Sequence, residues 1–435
     1  MKRMSFTATG DSLILKHLPK GYAGFDDIHS YIMKAEARMT NLETTLTDGR
    51  CYASSFSGGT WLTAKPDVLS DLKLLGFNLY GCANNHAMDY SYVGLESTIK
   101  NMEESGEVYA GIGRNLYEAS RPGIIELPSA RVGVIAATAT IDKSARAGAQ
   151  TPFMQGRPGV NMLRHNEMFY VTKDHMSVLK EIAKSTNMNG ASELALKMGF
   201  GKEPAEGTFR LGSMTFVESE KEYRYSTVNE SDMERIEKEI KNALFTVDYV
   251  VVLIHSHEIK GSVNNEADYF LEEFARKCID AGACAVVGGG THELKGIEVY
   301  KGAPIFYSLG NFIFENEYVK VLPAEYFEEH NLPLDATASE GIISRAKNAK
   351  EVMQNNVVNY RSVIPYFEME GNRCVKLELL PISLGFGKEK NFANIPYAAD
   401  EKEAAAIYET LVTLSSVYGT KMEMKNGIIH INVDA

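Results

Sequence analysis

The 435-residue chain is 44% hydrophobic and 23% charged, an ordinary globular composition that excludes a disordered polymer. Its 45 Lys and Arg against 57 Asp and Glu give a formal charge of −12, which excludes general affinity for nucleic-acid backbones. An anionic substrate would need local help from a metal or a few placed cations.

From the start of the chain, residues 1–7 carry two bases with no apolar run behind them, so no signal peptide is expected. Short β-rich runs follow at 5–9, 37–40, 78–83, 108–110, 123–126 and 132–138. Between them lie helical patterns at 65–75, opened by Pro66 and stopped by Gly76, and at 92–105, striped with Val93, Leu95, Ile99 and Met102. Residues 142–247 break the rhythm. They read as a polar, mostly helical insertion, with the clearest helices at 176–184 and 231–245. Strands resume at 249–254, 283–287, 294–300 and 304–308, around a helix at 266–281 that ends at Gly282.

An acidic stretch at 315–360, holding Glu315, Glu317, Glu325, Glu328 and Glu329, reads as a helical excursion. Strand-like runs at 375–381 and 427–433 flank a helix at 400–416, expected to pack on the core's edge. Alternation of strands and helices predicts a layered α/β protein, with a core at 1–315 and a further segment at 316–435. No run approaches the roughly 18–20 apolar residues of a membrane span. The five cysteines show no CxxC spacing and read as reduced thiols, so a cytoplasmic protein is expected.

Chemistry-bearing residues follow the strands, where ligands of α/β sheets gather. The first strand leads into Asp11, the second into Asn41 and Glu43, the third into Asn84-Asn85-His86. Later ones lead into His255-Ser256-His257, into Gly288-Gly289-Gly290-Thr291-His292, and into Ser308-Leu309-Gly310-Asn311. Such a mixture suits a two-metal hydrolytic centre: carboxylates neutralise dications, while imidazole and amide oxygen complete coordination without further charge. Each element also has a plain reading. Asp11, Asn41 and Glu43 suit turns and helix caps, the histidines suit structural hydrogen bonds, and the glycines suit a tight turn or an anion nest. Other motifs fail. Gly111-Ile112-Gly113 is followed by Leu116 where a dinucleotide loop needs glycine, and no phosphate loop, HExxH helix or GxSxG elbow is present.

Several blocks resemble, in order and spacing, the CapA family of bacterial capsule-synthesis proteins associated with poly-γ-glutamate. They are Gly10-Asp11, Asn41-Leu42-Glu43, Ala83-Asn84-Asn85-His86-Ala87-Met88-Asp89 with Gly94-Leu95, Ala110-Gly111-Ile112-Gly113-Arg114-Asn115, Asp280-Ala281-Gly282-Ala283 and Tyr307-Ser308-Leu309-Gly310-Asn311-Phe312. The resemblance covers roughly residues 1–315. That family is similar to the metallo-dependent phosphatases, which implies a four-layer α/β/β/α sandwich and one or two divalent ions (Mn, Fe or Zn). It implies that Asp11 and His292 bind one metal and Asn85 and His255 the second, with Glu43 or Asn41 bridging or beside both. His86 matches the histidine beside the leaving group, a general acid that Asp89 would orient. Asn84, His257 and Asn311 would support the site.

The pattern departs where Gly290 replaces a usual histidine and where Ser256-His257 replaces Trp-Gly. The phosphatases also carry a histidine where Leu13 stands, a position the family generally leaves without one. The second metal then depends on His257. The expected function is a metal-dependent hydrolase acting on an anionic substrate, a phosphoester or a γ-glutamyl polymer, in capsule metabolism. The alternative is a non-catalytic module that keeps the fold to bind an anionic polymer or a capsule-assembly partner.

Overall fold

In the computed structural model, which describes residues 3–353 and 357–433, the strand Arg3–Leu13 lies inside a ten-stranded sheet. Met1 and Lys2, part of the start read as lacking a signal peptide, lie outside the described residues, as do 354–356 of the acidic stretch. On one side of Arg3–Leu13 follow Ala37–Leu42, Leu79–Gly81 and Val108–Ala110, all parallel. On its other side the sheet turns antiparallel through Arg361–Glu370, Arg373–Ser383, Ile428–Ile431 and Met422–Lys425. A six-stranded sheet runs Ile297–Tyr300, Ala303–Phe306, Ala285–Gly290, Tyr249–Ser256, Arg131–Thr138, Gly123–Glu126, with parallel pairing in its middle. The chain is therefore a mixed α/β protein, as its sequence predicts.

Period-two side-chain alternation assigns each strand's residues to two cores. Met4, Phe6, Ala8, Met39 and Leu79 share one buried cluster with Val132, Val134, Ala136, Val251, Leu253, Ala285 and Val287 of the other sheet. The intervening residues Ile135, Val250, Val252 and Ile254 instead join Ile236 and Ile240 of helix Glu230–Ala243 and Phe270 and Phe274 of helix Tyr269–Asp280. Leu42, Tyr80, Ile313 and Ile364 join residues of helices Phe25–Ile32, Leu69–Leu75 and Ser91–Ser105. The strand Tyr249–Ser256 is thus apolar on both faces, which is why it reads as an unbroken hydrophobic run.

One expectation needs correction. The insertion is not helical alone: it carries a four-stranded sheet of Thr208–Leu211, Met214–Glu218, His165–Val171 and Tyr223–Val228, beside helix Lys173–Thr186. Its core is small, chiefly Met176, Ala183, Leu211 and Phe216, so few apolar residues signal the strands. The C-terminal segment forms one end of the ten-stranded sheet, with Met422–Lys425 last in the strand order. Arg361–Glu370 pairs directly with the first strand, from Arg3 opposite Glu370 to Thr7 opposite Tyr366. Among the described residues no helix is long and apolar enough to cross a membrane.

Candidate metal centre

Strand register alone assembles the first part of the site. Asp11 stands opposite Asn41 on one neighbour and opposite Asn311 on the other, while His255 stands opposite Gly289 in the second sheet. A bulge between Ala8 and Asp11 shifts the register there, and the Asp11 N–H donates to the Gly310 carbonyl at 3.0 Å. The carboxyl ends of both sheets consequently face one buried hollow.

Asp11 is fully buried. Its Oδ1 accepts from the Asn41 amide at 2.7 Å and lies 3.5 Å from His255 Nδ1. Its Oδ2 accepts the Gly290 N–H at 2.8 Å and lies 3.9 Å from His292 Nδ1. Burial pushes this carboxyl up, but His255, His292 and the Asn41 amide outweigh it and hold it well below the usual carboxylate range.

Glu43 has the opposite balance. It is fully buried, neither carboxylate oxygen has a hydrogen-bond partner, and Oε1 lies 3.4 Å from His255 Nε2 and 4.0 Å from His86 Nε2. Burial, then the neighbouring Asp11 and Asp89 charges, push its carboxyl well above the ordinary value. A buried unpaired carboxylate is costly unless a cation meets it.

Three imidazoles face it. His255 Nε2 is 3.1 Å from His257 Nε2, and the His257 ring packs edge-on against His292 at 5.3 Å between centroids. Burial drives His257 well below its usual value, and burial likewise lowers His292 to about 4. Both rings are neutral at pH 7, which leaves a nitrogen lone pair for a metal. His292 Nδ1 meets Asn311 Oδ1 at 2.8 Å, which leaves Nε2 for a ligand. Donor atoms of Asp11, Glu43 and His255 all lie within 4.8 Å of one another, as do those of Glu43, His257 and His292.

Across the hollow, His86 Nδ1 is 2.6 Å from Asp89 Oδ2. Asp89 also accepts the Leu62 N–H at 2.7 Å and the Gly58 N–H at 3.1 Å. Asn85 donates to the Gly58 carbonyl at 3.1 Å, and its buried Oδ1 has no partner. Asn41 and Asn84 serve the framework instead. Asn84 donates to Asn41 Oδ1 and the Leu42 carbonyl and accepts the His86 N–H, while Asn41 holds Asp11.

Two of the glycines that end the strand Ala285–Gly290 have specific roles. A Cβ on Gly289 would stand 2.4 Å from Asp11 Oδ1. Gly290 has φ +123°, and a Cβ there would meet the Ser256 carbonyl at 2.4 Å, so its amide, not a side chain, faces Asp11. The Ser57-Gly58 loop over Asn85 and His86 was missed from sequence; its only signal was the run Ser57-Gly58-Gly59.

Residues 5–316 match the family described as bacterial capsule synthesis protein PGA_cap. The chain belongs to this family. The match fits the CapA resemblance of the sequence blocks and contains every residue of the hollow. Over its whole length the chain is similar to the uncharacterized protein y4sH of Sinorhizobium fredii, 30% identical over 98% of this chain and 92% of the relative. It is similar to the capsule biosynthesis protein CapA of Bacillus anthracis, 23% identical over 76% of this chain and 64% of that protein. A probable polyglutamine synthesis accessory protein of Mycobacterium tuberculosis is 22% identical over 64% of this chain and 56% of its own length.

Proposed function

We propose that this capsule-synthesis family member is a metal-dependent hydrolase of an anionic substrate, a phosphoester or a γ-glutamyl polymer. The observation that carries the reading is Glu43, a buried carboxylate with two unpaired oxygens ringed by Asp11, His255, His257 and His292. Its layered arrangement, with helices outside two facing sheets, supports the four-layer α/β/β/α sandwich of the metallo-dependent phosphatases. The names of the relatives support a place in capsule or poly-γ-glutamate metabolism, with a capsule-assembly protein as partner.

By the family resemblance, Asp11 and His292 would hold one divalent ion and His255 and Asn85 a second. The donor distances group Asp11, Glu43 and His255 in one set and Glu43, His257 and His292 in another, with Glu43 common to both. His257 supplies the imidazole that Gly290 does not. Mixed oxygen and nitrogen donors suit Mn, Fe or Zn. Such an ion, when bound, supplies Lewis-acid polarisation and a more acidic water. The chain's own contribution at the other side is His86. Asp89 fixes its Nδ1, which turns Nε2 toward the hollow, where it can hand a proton to a departing oxygen or nitrogen.

Elemental analysis of protein purified without chelator, with phosphodiester, phosphomonoester and γ-glutamyl amide assays, tests the reading. Stoichiometric metal and turnover, both lost in Asp11→Ala, are expected. A metal-free protein, inert in each assay, would favour a binding module that keeps the fold.

A further inference from the structure

A cleft of about 430 Å3 opens beside the site and shares Asn85 and His257 with it. Its far wall belongs to the start of the insertion, and there the charge changes sign: Lys143, Arg164 and His165 line the same hollow. The Arg164 guanidinium is one of three that converge on a single buried carboxylate. Asp232 lies 2.7 Å from Arg164, 2.6 Å from Arg235 and 3.2 Å from Arg146. Of the three, Arg164 alone lines the cleft, where its guanidinium also donates to Asn229 and Ser231. Arg146 and Arg235 stand behind it, with Glu239 near Arg235, so the three guanidinium groups outnumber the carboxylates around them.

Lys143 adds an exposed ammonium, and the buried Nδ1 of His165 has no hydrogen-bond partner. Two carboxylates also line the cleft and keep their charge, each with its oxygens turned to neighbouring donors. Asp142 accepts the Ser144 N–H at 2.9 Å, and Glu258 accepts the hydroxyls of Thr140 and Ser256, each at 2.7 Å. Between the two ends lie Ala139, Ile141 and Met162, which suit an uncharged stretch of chain.

We propose that this cleft binds a second anionic group of the substrate, a carboxylate or phosphate on the same chain as the scissile bond. Lys143 and Arg164 are its specificity-determining residues. The proposal rests on the hydrolase reading only for the bond-breaking end; capture of the anion needs no metal. The volume falls within the range of small-ligand pockets and suits a segment of a few residues.

Calorimetric titration of the full chain in chelator tests it, with γ-linked tetraglutamate, the same peptide with its carboxylates amidated, and tripolyphosphate as probes. One of the two anions should bind with 1:1 stoichiometry, at least tenfold tighter than the amidated peptide, and which one it is identifies the group. Lys143→Glu should weaken that anion about tenfold and Lys143→Ala by less, as expected of one charge at a partly solvated site. Lys402→Glu, the same charge change on a remote exposed helix face, should leave binding as it is. Equal binding of charged and amidated peptide, no binding of either anion, or a Lys143→Glu variant that binds like wild type would overturn the proposal. Loss of metal or turnover would instead sink the hydrolase reading and leave this result standing.

Discussion

Asp89 holds His86 through a 2.6 Å contact to Nδ1, and the same carboxylate anchors the loop above through the N–H groups of Gly58 and Leu62. Position and orientation of the ring therefore depend on one buried group. His86→Ala should lower kcat by about 10²–10⁴-fold with metal content unchanged. Asp89→Asn should lower it by about 10–100-fold, the usual size of a lost orienting partner. Steady-state kinetics beside elemental analysis checks both, and metal loss in His86→Ala would assign that ring to the ligand set instead.

Glu43 makes the metal question one of stability. In chelated protein the unpaired carboxylate is a liability, so Glu43→Gln should leave thermal stability unchanged or raise it by about 1–3 kcal/mol. Added metal should stabilise wild type by about 2.7 kcal/mol at a hundredfold excess over Kd and stabilise the variant far less. Scanning calorimetry with and without Mn or Zn measures the difference. Equal metal shifts in both proteins would remove Glu43 from the site.

Gly289→Ala should abolish metal uptake without unfolding the protein. Its methyl would press on Asp11 Oδ1, whereas the strand around it needs no unusual backbone angle at this position. The readout is bound metal per chain together with an unchanged circular dichroism spectrum. Full metal occupancy would show that Asp11 can move aside.

Acid should loosen the insertion through Asp232. Burial pushes this carboxyl up, but Arg164 and Arg235 outweigh burial and bring it from 3.8 down to about 2. Its folded-state value is depressed, so the stabilisation is complete above the unfolded value of 3.8 and disappears as pH falls through about 2. Worth about 2 kcal/mol, this contribution should be absent in Asp232→Asn. Denaturant melts between pH 5 and 2 should show the two proteins converging at the acid end.

Much of the site was legible because strand ends carry it. Asp11, Asn41 and Asn311 are adjacent by register, and each follows an apolar run that sequence alone marks as a strand. What stayed hidden depended on contacts between distant segments. Asn41 looked like a ligand candidate and Asn84 like its support, yet the Asn41 amide is taken up by Asp11 and Asn84, and that of Asn84 by Asn41 and backbone. Nothing local distinguishes a free amide oxygen, as in Asn85, from an occupied one. Strand Arg361–Glu370 also escaped notice. Pro365 and three charged residues interrupt its pattern, whereas its burial comes from neighbours on both sides.

The pairing of Arg3 with Glu370 also constrains how the molecule is made. The strand that bears Asp11 leaves the ribosome well before one of its flanking partners, which is synthesised more than three hundred residues later. Until then its backbone has an unfilled side, in the manner of an exposed sheet border that invites wrong pairing. Long sequence separation of this kind slows folding. A fragment cut near residue 316, which would keep every proposed ligand, should therefore emerge sticky and inactive.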